Sequence, residues 1–127
     1  MSTHEKLIFV DLETTGANLV NDRITEIGIV AVDPDGCIDR WSTFVNPGRP
    51  IPEFIQGLTG ISDEMVETAP SFETLADTVR AHLQDGLFIA HNARFDYGFL
   101  HHAFVRSGHA LNSEMLCTVK LLSLIHI

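Results

Sequence analysis

The order of apolar and polar positions along this chain first predicts a sheet of consecutive strands. Residues 7–10 are apolar and Leu12 extends the run, which is typical of a buried strand. A second run, rich in β-branched residues, spans Ile24–Val32, and a third strand is expected at about 37–45, after the turn sequence at 33–36. Because short turns connect them, we expect these three strands to form an antiparallel meander.

The pattern then changes to helical spacing. A helix is predicted between Ser71 as its N-cap and a stop at 85–86, because apolar residues recur along one face, namely Phe72, Leu75, Ala76, Val79 and Leu83. A short apolar strand follows at 87–90, and Asn92 is placed to cap a second helix at about 93–107. The order β-β-β-α-β-α predicts an α/β domain, a mixed sheet with helices packed on it.

Size and composition limit the class of protein. A chain of 127 residues with 45% hydrophobic residues is long enough for one domain with one core. No apolar stretch approaches the roughly 20 residues that a membrane span needs, and the N-terminus does not resemble a signal peptide. Cys37 and Cys117 are far apart and form no C-x-x-C pattern. We therefore expect reduced thiols in a cytoplasmic protein with no membrane association.

The acidic charge balance bears on possible partners. The formal net charge is -9, which argues against a broad basic surface that holds nucleic acid. It leaves open an enzyme that meets phosphates through bound Mg²⁺ or Mn²⁺, because the metal then supplies the positive charge.

Two acidic residues end the first strand. Asp11 and Glu13 are two positions apart, so their side chains share one face. At about 5 Å and an effective dielectric of about 20, their repulsion costs on the order of 3 kcal/mol, which a divalent metal ion would offset. The following Thr14, Thr15 and Gly16 supply hydroxyls, backbone N–H groups and a flexible turn suited to a phosphate-bearing ligand. The alternative is an acidic strand end that faces water.

A third acid lies where the short strand at 87–90 meets the second helix. Asp96 falls in the first turn or so of that helix, where the helix dipole favours a carboxylate. A simple surface acid is therefore one interpretation. The other is a functional one, because sites in α/β sheets gather at the carboxyl ends of central strands. If this strand lies beside the first, Asp96 can face Asp11 and Glu13.

Four segments together resemble a known family. Residues 9–16, 24–28, 58–62 and 91–96 are similar, in order and spacing, to motifs of the DnaQ-like DEDD 3′→5′ exonucleases, in particular to DNA polymerase III epsilon-type exonuclease domains. The resemblance covers about 7–120. It implies a ribonuclease H-like fold, in which 58–62 form a short loop before the long helix.

The resemblance also implies an activity and its residues. The expected reaction removes nucleotides from the 3′ end of nucleic acid, expected to be single-stranded DNA in proofreading or repair, with two Mg²⁺ or Mn²⁺ ions. A DNA polymerase subunit or an appended domain is a further expected partner. Asp11, Glu13 and Asp96 match the catalytic, metal-binding acids. The positions that match substrate contacts are Thr14, Thr15, Gly16, Leu58, Thr59, His91, Asn92 and Phe95.

The chain departs from the family pattern near its end. Neither H-x-x-x-x-D nor Y-x-x-x-D follows Cys117, and only His126 remains. We therefore expect 1–127 to be a single, incomplete exonuclease domain that lacks the last part of the fold, with 121–127 as a candidate non-native tail. Loss of a general base is typically worth about 10²–10⁴-fold in rate, so we expect this chain to be nearly inactive. An RNA-trimming exoribonuclease of the same family and a non-catalytic nucleic-acid-binding or polymerase-associated module stay open as alternatives.

Overall fold

The computed structural model describes residues 5–108 in full and the backbone of 120–123. The chain alternates between strands and helices, with three strands first, three helices next and a strand–helix–strand unit last. In chain order the elements are β1 (Lys6–Thr14), β2 (Ile24–Val32), β3 (Ile38–Phe44), α1 (Glu53–Thr59), α2 (Asp63–Glu67), α3 (Phe72–Leu83), β4 (Gly86–Ala90), α4 (Ala93–Arg106) and β5 (Lys120–Ser123).

The strands form one mixed sheet in the order β3-β2-β1-β4-β5. The three strands at one side, β3, β2 and β1, pair antiparallel, whereas β4 pairs parallel to β1. The predicted meander with an added parallel strand is therefore confirmed. The sequence reading did not predict β5, which pairs parallel to β4 at the other edge. Residues 121–123 lie in β5 and 124–127 lie outside the described part, so the incomplete domain and the non-native tail stay predictions.

The hydrophobic core lies on one face of this sheet. Ile8, Val10 and Leu12 alternate along β1 and pack in one cluster with buried residues of both α3 and α4. The alternation places the side chains of Asp11 and Glu13 on the opposite face of β1, away from that core. Asp11 is accordingly exposed and Glu13 is half-buried.

The two long helices agree with the sequence prediction. The Ser71 side chain accepts a hydrogen bond from the Thr74 N–H at the start of α3, and Asn92 does the same for Phe95 at the start of α4. These caps satisfy backbone donors that the first helical turn leaves without partners. No helix in the described part is long and apolar enough to cross a membrane.

The expected short loop at 58–62 is confirmed for 60–62 and is wrong for Leu58 and Thr59. Leu58 and Thr59 end α1, Gly60 terminates it in the left-handed conformation with φ +79°, and Ser62 caps α2. These helices have 7 and 5 residues, too few for a clear periodic signal beside the prolines that precede them. A small second hydrophobic cluster stabilises them instead, formed by Ile51, Ile61 and Val66 with Phe44 and Ile55.

Candidate active site

Negative charge is concentrated at the end of β1. Asp11 pairs across the strands with Gly28, and Glu13 pairs with Glu26. The pKa of Glu13 is raised, first by burial and then by repulsion from Asp11 and Glu26. The contribution of Glu26 was missed in the sequence reading, because its position opposite Glu13 depends on the strand register.

Asp96 joins this group from α4. Because Phe9 pairs with Ile89 in the parallel register, Asp11 lies level with His91, just before α4 begins. Asp96 is only 8% exposed. Burial raises its pKa to about 7, with further contributions from the charges of Asp11 and then Glu13. The fold thus brings the three predicted acids within electrostatic reach of one another, although they come from distant parts of the chain.

The donor set suits a hard cation, but the carboxylates are not gathered into a ready coordination shell. Carboxylate oxygens are the ligands that Mg²⁺ and Mn²⁺ prefer, and a cation would offset both the burial and the neighbouring negative charges that raise the pKa of Asp96. Within the described residues, no group of three or more His, Cys, Asp or Glu side chains is placed to hold a metal.

The segment after the acids is held in place by hydrogen bonds. The Thr14 hydroxyl donates to the Gly16 carbonyl oxygen at 2.6 Å. Thr15 is buried, and its hydroxyl donates to Asp22 Oδ1 at 2.8 Å and accepts from the Arg23 N–H at 3.0 Å. The Thr15 hydroxyl is therefore committed to the loop that connects β1 with β2.

Asp22 closes this loop, and sequence reasoning missed it. Its Oδ2 accepts from the Asn18 N–H at 2.9 Å, beside the bond from Thr15. A Cβ atom on Gly16 would lie 2.4 Å from the same oxygen, so a side chain there would collide with the Asp22 carboxylate. Gly16 is thus required by close approach, and only the folded loop reveals the partner.

The remaining predicted contacts divide between two places. His91, Asn92 and Phe95 lie with Asp96 at the junction of β4 and α4, where His91 and Asn92 are exposed. The Phe95 ring packs against Phe99 with centroids 4.9 Å apart.

Leu58 and Thr59 belong to α1, and their buried neighbours form the second hydrophobic cluster. The Thr59 hydroxyl donates to the Ile55 carbonyl oxygen at 2.9 Å. Leu58 is 71% exposed, which leaves a large apolar side chain open to a ligand.

A cleft of about 770 Å³ opens on the sheet face that carries Asp11. Its lining comes from β1, β2, β3 and β4 and includes Phe9, Asp11, Arg40 and His91. This volume falls in the range of about 300–1,000 Å³ that is usual for ligand sites. The exposed acid is therefore reached from the side of the sheet opposite the core.

Sequence comparison places the chain among known exonucleases. The profile of the exonuclease (RNase T) family matches residues 8–126. The 3′-5′ exonuclease DinG of Bacillus subtilis is 38% identical over 119 residues, which is 92% of this chain and 13% of that protein. A PolC-type DNA polymerase III of Caldanaerobacter subterraneus is 36% identical over 120 residues, covering 94% of this chain and 9% of that protein. The chain thus spans about a tenth of the length of these relatives.

Structural comparison agrees on the fold. A product-bound exonuclease I superposes with a TM-score of 0.80 at 16% identity, over 96% of this chain and 30% of that one. Escherichia coli exonuclease I in complex with a dA16 oligonucleotide gives a TM-score of 0.72 at 17% identity, over 81% and 24%. The predicted ribonuclease H-like fold is therefore confirmed. With its family profile matched over nearly its whole length, the chain belongs to the exonuclease family.

Proposed function

We propose that this chain is the nuclease domain of a metal-dependent 3′→5′ exonuclease that hydrolyses phosphodiester bonds at DNA ends. The observation that carries the proposal is the position of Asp96, buried in the first turn of α4 where β4 runs beside the end of β1 that bears Asp11 and Glu13. Relatives named 3′-5′ exonuclease support the direction of digestion. Exonuclease I bound to dA16 and dT13 oligonucleotides supports a single-stranded substrate, and PolC-type relatives support association with a polymerase.

The proposed chemistry assigns a role to each group. Asp11, Glu13 and Asp96 would hold Mg²⁺ or Mn²⁺, which supplies activation of water and stabilisation of the leaving 3′ oxygen. Burial keeps the Asp96 carboxylate in one position beside the strand end. The segment from Thr14 to Gly16 flanks the acids and would orient the terminal nucleotide. The half-buried Phe95 ring offers an apolar surface for its base.

Metal uptake is the primary test, because it does not require the general base. Calorimetric titration of the chain with Mn²⁺ should give binding that Asp11→Asn reduces at least about tenfold, since one of three anionic ligands becomes neutral. Asp33→Asn is the matched control, because Asp33 is exposed in the turn at the far end of β2. Equal uptake by Asp11→Asn and wild type would contradict the proposed site.

Digestion of labelled oligonucleotides tests the reaction. With Mn²⁺ present, this chain should shorten a 5′-labelled single-stranded DNA only marginally, because the general base is expected to be missing, and Asp11→Asn should remove any shortening that remains. Preferential shortening of the matching RNA would favour the RNA-trimming alternative. Tight binding of both strands by a chain that takes up no metal and shortens neither would favour a non-catalytic module and contradict the proposal.

A further inference from the structure

A second cavity lies between the start of β2, the segment after β3, the first turn of α3 and the last turn of α4. We call it the arginine pocket. Its volume is about 270 Å³, below the roughly 300–1,000 Å³ of pockets that enclose whole small molecules. It therefore suits a single chemical group of a larger ligand. Its polar lining is Arg23, Asn46, Ser71, Glu73, Arg106 and Ser107.

Two cationic side chains converge on this pocket. The Arg23 guanidinium is held by donating to the carbonyl oxygens of Val20 and Asp22, at 2.9 and 3.1 Å. Within residues 5–108, no carboxylate forms an ion pair with Arg106. Burial, and then the charge of Arg23, lower the pKa of Arg106. In a chain of net charge -9, such a pair of uncompensated cations is a local exception that favours an anionic ligand.

The start of α3 adds to the positive character of the pocket. Phe72 and Glu73 are the first two residues of this 12-residue helix, and backbone N–H groups at a helix start carry partial positive charge. The Glu73 carboxylate opposes this effect, but in the described part of the chain it pairs with neither arginine. Two arginines and a helix start against one glutamate leave a net positive pocket. One guanidinium group can donate two parallel hydrogen bonds to two oxygens of a phosphate, so the two arginines suit a tetrahedral anion.

The pocket is connected to the candidate active site. The Thr15 N–H donates to the Arg23 carbonyl oxygen at 2.8 Å, so Arg23 adjoins the segment expected to hold the terminal nucleotide. Asp96 and Arg106 lie at opposite ends of α4, about 15 Å apart at a rise of about 1.5 Å per residue. This separation spans at most about four nucleotides, because about 3.4 Å per nucleotide is the spacing along a duplex strand and a single strand is more extended.

We propose that the arginine pocket binds one backbone phosphate of the nucleic-acid strand, at most about four nucleotides from the 3′ end that lies at the acids. The inference rests on the proposed function, because it places the 3′ end at Asp11, Glu13 and Asp96. The pocket makes no contact with the reacting bond. It holds the strand so that its end reaches the acids.

Binding of thymidine oligonucleotides in EDTA tests this anchor. We would measure fluorescence anisotropy of 5′-labelled strands of two and eight nucleotides at low salt. Arg106→Gln should weaken binding of the eight-nucleotide strand about five- to tenfold and reduce the slope of log affinity against log salt by about one, as expected for one lost phosphate contact. Binding of the two-nucleotide strand, which is too short to reach from the acids to the pocket, should be unchanged. Arg80→Gln is the matched control, because Arg80 pairs with Asp77 on the surface of α3.

Several results would overturn the anchor. The first is an equal loss of affinity in Arg80→Gln, and the second is an equal loss for the two-nucleotide strand. The third is no binding of the eight-nucleotide strand by the unmodified chain. Displacement of the long strand by an acidic peptide at lower concentration than by unlabelled oligonucleotide would identify a protein-docking site. The pocket would be a site for free phosphate if inorganic phosphate binds at Arg106 and the effect of Arg106→Gln on affinity does not depend on strand length.

The same measurement separates this inference from the proposed function. Because EDTA removes divalent ions, the outcome does not depend on metal uptake or turnover. If Mn²⁺ binding depends on Asp11 but Arg106→Gln has no effect on strand binding, only the proposed phosphate anchor is refuted. If Arg106→Gln weakens binding of the long strand alone but the chain takes up no metal, the exonuclease proposal is refuted.

Discussion

Replacing Asp96 by Asn should stabilise the metal-free protein at neutral pH. The folded-state pKa of Asp96 is raised from 3.8 to about 7, so the folded state binds the proton more tightly than the unfolded chain does. The stabilising contribution of the protonated carboxyl is complete below the unfolded pKa and is lost as pH rises through the folded pKa. Asn cannot ionise, so Asp96→Asn avoids this loss.

The size of the gain follows from the shift and its screening. A shift of about 3 pKa units corresponds to about 4 kcal/mol as an upper limit, at about 1.36 kcal/mol per unit. Asp11 is exposed and Glu13 is half-buried, so water screens part of the repulsion that they exert on Asp96. We therefore expect the free energy of unfolding to rise by about 1–2 kcal/mol above pH 7.

Urea unfolding in EDTA, followed by the fluorescence of Trp41, measures this effect. Trp41 is the one tryptophan of the chain, and its ring stacks on that of His82 with centroids 4.7 Å apart. The difference in unfolding free energy between Asp96→Asn and wild type should grow from about pH 4 to about pH 7 and then level off. Asp33→Asn, which changes an exposed acid, should show no such trend.

Adding Mn²⁺ provides an internal check. An ion that binds only the folded wild type stabilises it by mass action, so the advantage of Asp96→Asn should shrink or reverse. The argument that burial and neighbouring acids raise the pKa of Asp96 would be refuted by one result in EDTA. In that result, Asp96→Asn is no more stable than wild type above pH 7, and the difference between them does not change with pH.

Three further substitutions test local features of the fold. Thr25→Val should raise the free energy of unfolding by about 1 kcal/mol, because the buried Thr25 hydroxyl has no hydrogen-bond partner among the described residues. Urea unfolding measures this change, and a destabilised variant would show that the hydroxyl does form a hydrogen bond. Gly16→Ala should lower the free energy of unfolding by about 1–3 kcal/mol, because the added methyl group would collide with Asp22. Thermal unfolding measures this loss, and an unchanged melting temperature would mean that the loop adapts freely. His82→Ala should lower the free energy of unfolding by about 1 kcal/mol and shift the fluorescence emission of Trp41, because it removes the ring that stacks on the indole. An unchanged emission spectrum would exclude this stacked contact in solution.

Local patterns were enough to predict the long elements and the positions of the acids within them. The strand Ile24–Val32 was predicted with the bounds that the structure shows, and the helix Phe72–Leu83 begins after the predicted cap and ends just before the predicted stop at 85–86. Periodicity and capping residues act over one or two turns, so the chain itself carries that information. For the same reason, the shared face of Asp11 and Glu13 followed from their spacing alone. Short helices such as Glu53–Thr59 carry too few periods and were missed.

The sequence by itself determined which side chains could do chemistry and on which faces of their own elements they lie. Only the tertiary structure decided which of them meet. Parallel pairing of β4 with β1 brings Asp96 to the acids of β1, strand register sets Glu26 opposite Glu13, and loop closure joins Asp22 to Thr15. These contacts join segments through strand register and loop closure, and both depend on packing of the whole chain rather than on the preferences of neighbouring residues.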